Sequence, residues 1–474
     1  MASHHHHHHM NEAFDCVVIG AGPGGYVAAI TAAQAGLKTA LIEKREAGGT
    51  CLNRGCIPSK ALLAGAEVVT QIRHADQFGI HVEGFSINYP AMVQRKDSVV
   101  RSIRDGLNGL IRSNKITVFS GRGSLISSTE VKILGENPSV IKAHSIILAT
   151  GSEPRAFPGI PFSAESPRIL CSTGVLNLKE IPQKMAIIGG GVIGCEFASL
   201  FHTLGSEVSV IEASSQILAL NNPDISKTMF DKFTRQGLRF VLEASVSNIE
   251  DIGDRVRLTI NGNVEEYDYV LVSIGRRLNT ENIGLDKAGV ICDERGVIPT
   301  DATMRTNVPN IYAIGDITGK WQLAHVASHQ GIIAARNIGG HKEEIDYSAV
   351  PSVIFTFPEV ASVGLSPTAA QQQKIPVKVT KFPFRAIGKA VAMGEADGFA
   401  AIISHETTQQ ILGAYVIGPH ASSLISEITL AVRNELTLPC IYETIHAHPT
   451  LAEVWAESAL LAVDTPLHMP PAKK

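Results

Sequence analysis

One glycine fingerprint occurs twice in this chain, each time at the same spacing from an acidic residue. The first copy, FDCVVIGAGPGGYVAAITAAQAGLKTALIEK, places Gly20, Gly22 and Gly25 after an apolar run from Phe14 to Ile19. That run is short and β-branched, as expected of a buried parallel strand. A helical stretch from Tyr26 to Ala35 comes next, stopped by Gly36, and a second strand from Thr39 to Ile42 ends in Glu43. The second copy, KMAIIGGGVIGCEFASLFHTLGSEVSVIEAS, repeats the design. A strand from Met185 to Ile188 leads to Gly189, Gly191 and Gly194, a helix runs to about Leu204, and a strand from Val208 to Ile211 ends in Glu212. Gly189 lies 169 positions after Gly20, and Glu212 lies 169 positions after Glu43. Glycines at these places let the backbone approach a pyrophosphate, and the helix N-terminus supplies unpaired N–H groups and a partial positive charge. The acid accepts hydrogen bonds from the hydroxyls of an adenosine ribose. A glycine-rich packing turn accounts for one such pattern. Two at matched spacing read as two dinucleotide sites in an α/β protein with two Rossmann-like domains.

The rest of the chain has to fit around those two units. Residues 1–9, MASHHHHHH, are an expression tag and are set aside from all fold and metal reasoning. The chain beyond the tag is too long for one hydrophobic core and suggests about three domains. ILATGSEPRAFPGIP at 147–161 reads as the exit from the first domain, and LVSIGRRLNT at 271–280 as the exit from the second. IYAIGDIT at 311–318 places Asp316 just past another buried strand, and 323–338 is helical. From about Val350 the pattern changes to short strands and longer amphipathic helices, a separate α+β domain. The expected boundaries are 10–155 and 277–347 for the first nucleotide domain, 156–276 for the second, and 348–474 for the last. Lysine and arginine number 41 against 45 acids, with no basic stripe, so nucleic acid is a poor expectation as partner. No apolar stretch approaches the ~18–20 residues of a membrane helix, and no basic leader follows Met10, which points to the cytoplasm.

Seven cysteines, an odd and sparse set, do not make a disulfide framework and fit a reducing compartment. Only Cys51 and Cys56, within GGTCLNRGCIPSKALL, lie close together. A structural bridge there would close a short loop worth roughly 2 kcal/mol of chain entropy, a small gain for a chain of this size. A zinc half-site would need two further ligands, which the sequence does not offer nearby. A redox-active dithiol needs an electropositive setting to hold a thiolate, which a helix starting near Pro58 and the nearby Lys60 would supply, and this reading is preferred. Cys16, Cys171, Cys195, Cys292 and Cys440 read as small buried or incidental residues. Near the C-terminus, HAHPTLAE places His448 before Pro449, hence in a turn, with Glu453 five residues on to orient the ring. Alone, that histidine would read as a satisfied core residue, or with His446 as a metal pair. Beside a dithiol it reads as the base that takes the substrate's proton. Trp455 is expected to pack.

In combination, GGTCLNRGCIPSK, the paired fingerprints, ATG at 149–151, GD at 315–316, FTFPEVASVGL at 355–365 and HAHPTLAE at 446–453 resemble the pyridine nucleotide–disulfide oxidoreductases over residues 11 to about 465. The resemblance implies FAD at the first site and NAD at the second. It implies Gly20, Gly22, Gly25 and Glu43 on the FAD pyrophosphate and ribose, with Thr50, Gly123, Thr150, Gly151, Asp316 and Ala324 at further FAD contacts. Gly189, Gly191, Gly194, Glu212, Val246 and Gly275 match NAD positions. Lys60 would lie near the flavin and pair with Glu196 beside the nicotinamide. Cys51 would exchange with substrate, and Cys56 would face the flavin. His448 would be supplied by the neighbouring chain of an obligate homodimer. Within the family the match is to the branch that oxidises dihydrolipoyl groups on the lipoyl domain of an acyltransferase, in a 2-oxoacid dehydrogenase complex. Glu212, followed by Ala213-Ser214-Ser215-Gln216 with no arginine, favours NAD over NADP. Arg54 stands where many relatives carry an apolar residue. It reads as a solvated loop cation, or as a charge that favours the Cys51 thiolate or docks an acidic surface.

Overall fold

The computed structural model describes residues 12–471; the tag lies outside the described residues. The chain divides into two compact units. One comprises the described residues up to Val68, Ser86–Ile181 and Leu271–Asp346; the other comprises Val69–Phe85, Pro182–Val270 and the residues from Tyr347 onward.

The first unit is built on a seven-stranded sheet. Strand Ala13–Ile19 lies between Thr39–Glu43 and Ser139–Leu148, parallel to both, and Thr117–Ser120 extends the sheet beyond Thr39–Glu43. Strand Ser139–Leu148 changes partner along its other edge. Its first half pairs antiparallel with Glu130–Leu134, and its second half pairs parallel with Ile311–Ala313. A central strand can make that change because every buried backbone group still finds a partner. Alternation splits the apolar residues between two faces. Val17, Ile19, Ile42, Ile146 and Leu148 line one; Cys16, Val18, Leu41 and Ile147 line the other, under the helices Pro23–Gln34 and Ala324–Ile338. Those two helices meet through small residues. A Cβ on Gly331 would sit 2.4 Å from the Gly24 carbonyl oxygen, and Ala28, Ala32, Ala334 and Ala335 are fully buried beside them.

In the second unit, strands Arg239–Val241, Glu207–Ile211 and Lys184–Ile188 run parallel in that order. A three-stranded antiparallel meander, Val246–Asp251, Val256–Ile260 and Asn263–Tyr267, adjoins them in sequence. The C-terminal part is a five-stranded antiparallel sheet in the order Ser352–Ile354, Glu359–Gly364, Ile411–Gly418, Phe399–His405, Val377–Pro383. Helices Ala421–Arg433 and Glu453–Ala462 share its core with Phe382, Phe384 and Trp455, all fully buried. No described helix is long and apolar enough to cross a membrane.

Candidate active site

The two fingerprints fold into closely matching local geometry. Gly20 and Gly189 adopt φ of +107° and +109°, a left-handed backbone that disfavours any side chain. A Cβ on Gly25 would lie 1.8 Å from the Gly20 carbonyl oxygen; on Gly194 it would lie 2.0 Å from that of Gly189. These glycines are therefore required by helix–strand packing. The middle glycines differ. Gly22 and Gly191 are the N-caps of their helices, with ordinary φ of −71° and −78°. A Cβ on Gly191 would meet nothing within 4 Å, and one on Gly22 would meet only Gly49 at 3.9 Å. The open space above them is what a pyrophosphate needs. The helices start at Pro23 and Val192, the first three residues earlier than the apolar pattern alone indicates, because proline is pre-set for a helix's first turn.

The two acids are held alike. Glu43 accepts from the Ala21 N–H at 2.7 Å and from the Arg45 N–H at 3.0 Å. Glu212 accepts from the Gly190 N–H at 2.8 Å and from the Ser214 N–H at 2.7 Å. Each carboxylate is thus clamped between the glycine turn and the residue two positions after itself, with lone pairs left over for ribose hydroxyls.

The cysteine pair spans a helix break. Cys51 lies in the helix Gly49–Arg54, and Cys56 is the first residue of the helix Cys56–Arg73. The second helix thus begins two residues before Pro58, whose missing N–H costs nothing in a first turn. Gly55 between them has φ −140° and ψ −109°, and a Cβ there would come within 3.0 Å of the Thr50 carbonyl oxygen. The sulfurs are unbridged in this structure. A hydrogen bond to Cys56, together with burial, pushes the Cys51 thiol well above the ordinary range, against the pull of Lys60. The electropositive setting expected from the sequence is therefore present in Lys60 but outweighed at Cys51. Arg54 is not a solvated loop cation. It ends its helix and pairs with Glu46 at 3.0 Å, its side chain only 19% exposed.

Of the remaining sequence-predicted positions in this unit, Thr150 donates its hydroxyl to the Asn279 carbonyl at 2.7 Å, and Gly151 has φ +72°. Gly123 lies in strand Arg122–Leu125, where a Cβ would come 2.9 Å from Ile19, so packing alone already demands glycine. Thr50 is in the first turn of the Cys51 helix, and Ala324 opens the helix Ala324–Ile338. Asp316 follows strand Ile311–Ala313. Burial raises its pKa, while the Ser152 hydroxyl, 2.5 Å away, and Arg276 pull it back. Ser152 and Arg276 escaped the sequence reading, although each directly follows a marked glycine, Gly151 and Gly275. Gly275 has φ +105° with open space around it.

In the other unit, Glu196 accepts from the Phe355 N–H at 2.7 Å, and Val246 starts the meander. His448 lies in a turn with a cis bond to Pro449. Its Nδ1 meets Glu453 Oε1 at 2.7 Å, and the other Glu453 oxygen accepts from the Thr450 N–H at 2.9 Å. Burial works against ionisation of Glu453, but the bonds from Thr450 and His448 outweigh it and lower its pKa. The His448 side chain is 75% exposed, so its Nε2 face is open to a reacting group. Both nitrogens of His446 are engaged, by the Thr444 carbonyl and by Glu427, each at 2.8 Å. Trp455 packs as expected, its indole N–H on the Leu424 carbonyl at 2.8 Å. Cys16 and Cys195 are buried, but Cys292 and Cys440 are exposed.

A doubled glycine cradle, with an acid clamped at the end of each second strand and a hydrogen-bonded dithiol at a helix start, defines an oxidoreductase that couples two nucleotides to thiol chemistry. Residues 14–331 match the pyridine nucleotide–disulphide oxidoreductase family, and residues 350–459 match its dimerisation domain. The chain is 93% identical to the dihydrolipoyl dehydrogenase of Chlamydia muridarum over 465 residues, 98% of this chain and all of that one. It is 71% identical to that of Chlamydia pneumoniae and 40% to that of Geobacillus stearothermophilus, over 98% and 96% of this chain and 100% and 97% of theirs. Among solved structures, LpdA of Mycobacterium tuberculosis is similar with a TM-score of 0.88 at 29% identity, over 94% of this chain and 98% of that one. The HOCl-induced flavoprotein disulfide reductase RclA of Escherichia coli is similar with a TM-score of 0.85 at 29% identity, over 94% of this chain and 99% of that one. This chain belongs to the pyridine nucleotide–disulphide oxidoreductase family. It is an enzyme that uses FAD and NAD, and its dimerisation domain makes it a homodimer.

Proposed function

We propose that this enzyme oxidises dihydrolipoyl groups and passes the electrons to NAD+. The observation that carries the reading is the Cys51–Cys56 pair, two unbridged sulfurs joined by a hydrogen bond beside a glycine cradle with room for a pyrophosphate. The substrate is the lipoyl domain of a dihydrolipoyl acyltransferase in a 2-oxoacid dehydrogenase complex, and the work is done in the cytoplasm. We divide the chain functionally into an FAD domain at 10–155 and 277–347, an NAD domain at 156–276 and an interface domain from 348.

The residues fit both cofactors. The open faces of Gly22 and Gly191 leave space for the pyrophosphates, with Glu43 and Glu212 clamped to receive the riboses. Asp316 Oδ2 accepts from the Ser152 hydroxyl, which holds the carboxylate in one orientation where a flavin-side hydroxyl would meet it. FAD, when bound, would supply a two-electron acceptor for the dithiol, and NAD+ would be the final acceptor. The chain's own residues do the thiol chemistry, starting from a Cys51–Cys56 disulfide. His448, oriented by Glu453, removes a proton from one substrate thiol. That sulfur attacks Cys51, the Cys51–Cys56 bond breaks, and Cys56 departs as thiolate. The second substrate thiol then attacks the first substrate sulfur and closes the lipoyl disulfide. Cys51 leaves and collects the proton held on His448, and His448 takes up the proton released by the second thiol, so one proton ends on Cys51 and one on His448. The substrate loses two electrons and the protein dithiol gains them. Lys60 and Glu196 are assigned the pair beside the nicotinamide, and each His448 serves the opposite subunit. NADH formation from dihydrolipoamide tests the reading: fast turnover with NAD+ and slow turnover with NADP+ are expected. Faster turnover with NADP+, or with glutathione as the thiol, would overturn it.

A further inference from the structure

Asp316, Ser152 and Arg276 form a chain of contacts among residues far apart in sequence. The Arg276 Nε donates to the Ser152 hydroxyl oxygen at 2.7 Å, and its Nη2 donates to the Ser152 carbonyl at 2.8 Å. The Ser152 hydroxyl donates to Asp316 Oδ2 at 2.5 Å. A serine hydroxyl has one proton and can point it in one direction at a time. Because the guanidinium occupies the acceptor side of Ser152 and can never accept, the proton has one destination, Asp316. Ser152 itself is 5% exposed, so water does not compete for it. The antiparallel pairing of Arg276 with Pro154 and of Leu278 with Ser152 holds the two strands in the register that this grip requires.

We propose that Arg276 is a positioning residue for the flavin site: by gripping Ser152 at two atoms it commits the serine proton to Asp316, and so fixes the orientation of the carboxylate that would receive the cofactor. The proposal rests on the placement of Asp316 at the FAD. The groups acting on Asp316 are Ser152 from strand Ser152–Pro154 and Arg276 from strand Arg276–Leu278. The Arg276 charge also acts on Glu153, Cys171 and Cys56.

The test is FAD binding to apoprotein, followed by flavin fluorescence, in Arg276→Gln, Ser152→Ala, the double variant and Asp316→Ala. Each of the first two should raise the FAD dissociation constant about tenfold, the scale of one lost charge-assisted hydrogen bond. The double variant should be no worse than the weaker-binding single variant, because both changes break one chain of contacts. Acid release of FAD gives a second readout. Loss of Arg276 lets the Asp316 pKa rise further, so Arg276→Gln should shed FAD at a higher pH than wild type. Additive losses of about a hundredfold in the double variant would overturn the proposal, as would wild-type affinity and an unmoved release pH in Arg276→Gln. Wild-type affinity in Asp316→Ala would instead remove the placement of Asp316 on which the proposal stands.

Discussion

Replacing Gly194 and Gly191 separately by alanine should divide the second fingerprint into its packing part and its binding part. At Gly194 the added carbon would lie 2.0 Å from the Gly189 carbonyl oxygen and 3.1 Å from its carbon. Close carbon–oxygen contacts run about 3.3 Å, so roughly 1.3 Å must be found by moving backbone, since no flexible side chain is there to yield. Overpacking of that kind costs about 1–3 kcal/mol. The movement also displaces the helix N-terminus that faces the pyrophosphate, and misplacement by about 1 Å can cost on the order of a hundredfold in function. At Gly191 the added carbon meets nothing within 4 Å, and φ of −78° suits alanine. Stability should therefore hold or rise by a few tenths of a kcal/mol, about the entropy gained from the unfolded chain. The methyl group would stand in the pyrophosphate's place, and NAD affinity should fall. Urea unfolding monitored by Trp fluorescence, paired with NAD binding by titration, measures both. If Gly191→Ala loses as much stability as Gly194→Ala, or if Gly194→Ala binds NAD normally, the division of roles is wrong.

Cys51→Ser or Cys56→Ser should abolish dihydrolipoamide oxidation while the protein keeps its flavin colour; appreciable lipoamide turnover in either variant would contradict the dithiol relay. Glu453→Gln should lower kcat by about 10–100-fold by loosening the His448 ring, with little change in NAD binding. Because folding lowers the Glu453 pKa, its contribution to stability is complete above the ordinary carboxylate range and is lost as pH falls through it. The pH dependence of unfolding below about pH 5 should accordingly be shallower in Glu453→Gln than in wild type. Trp455→Ala, which empties a fully buried indole site and orphans the Leu424 carbonyl, should cost about 3–5 kcal/mol in denaturant unfolding. In native protein Cys16, whose thiol burial pushes up to about 12, should resist alkylation, whereas exposed Cys440, with its pKa lowered by hydrogen bonds from Thr437, should react.

The sequence alone carried the two strand–turn–helix units and their acids, because glycine conformation, helix starts and strand alternation are settled within some thirty residues. It also carried the Cys51/Cys56 pair and the His448–Glu453 pair, whose members lie five positions apart. The clamp of Glu43 and Glu212 onto backbone N–H groups was not readable, although the matched spacing explains why the two clamps are alike. The raised pKa of Cys51 was not readable either, since it depends first on how the helix break brings Cys56 against that sulfur and then on its burial.

What only the tertiary structure decided are contacts between residues that local pattern cannot relate. Ser152 reaches Asp316 across 164 positions and Arg276 across 124, and the close helix pair of Gly24 and Gly331 spans the chain. Such contacts are set by strand register and by which small residues face one another. Those are properties of the assembled sheet and its covering helices, and no single segment encodes them.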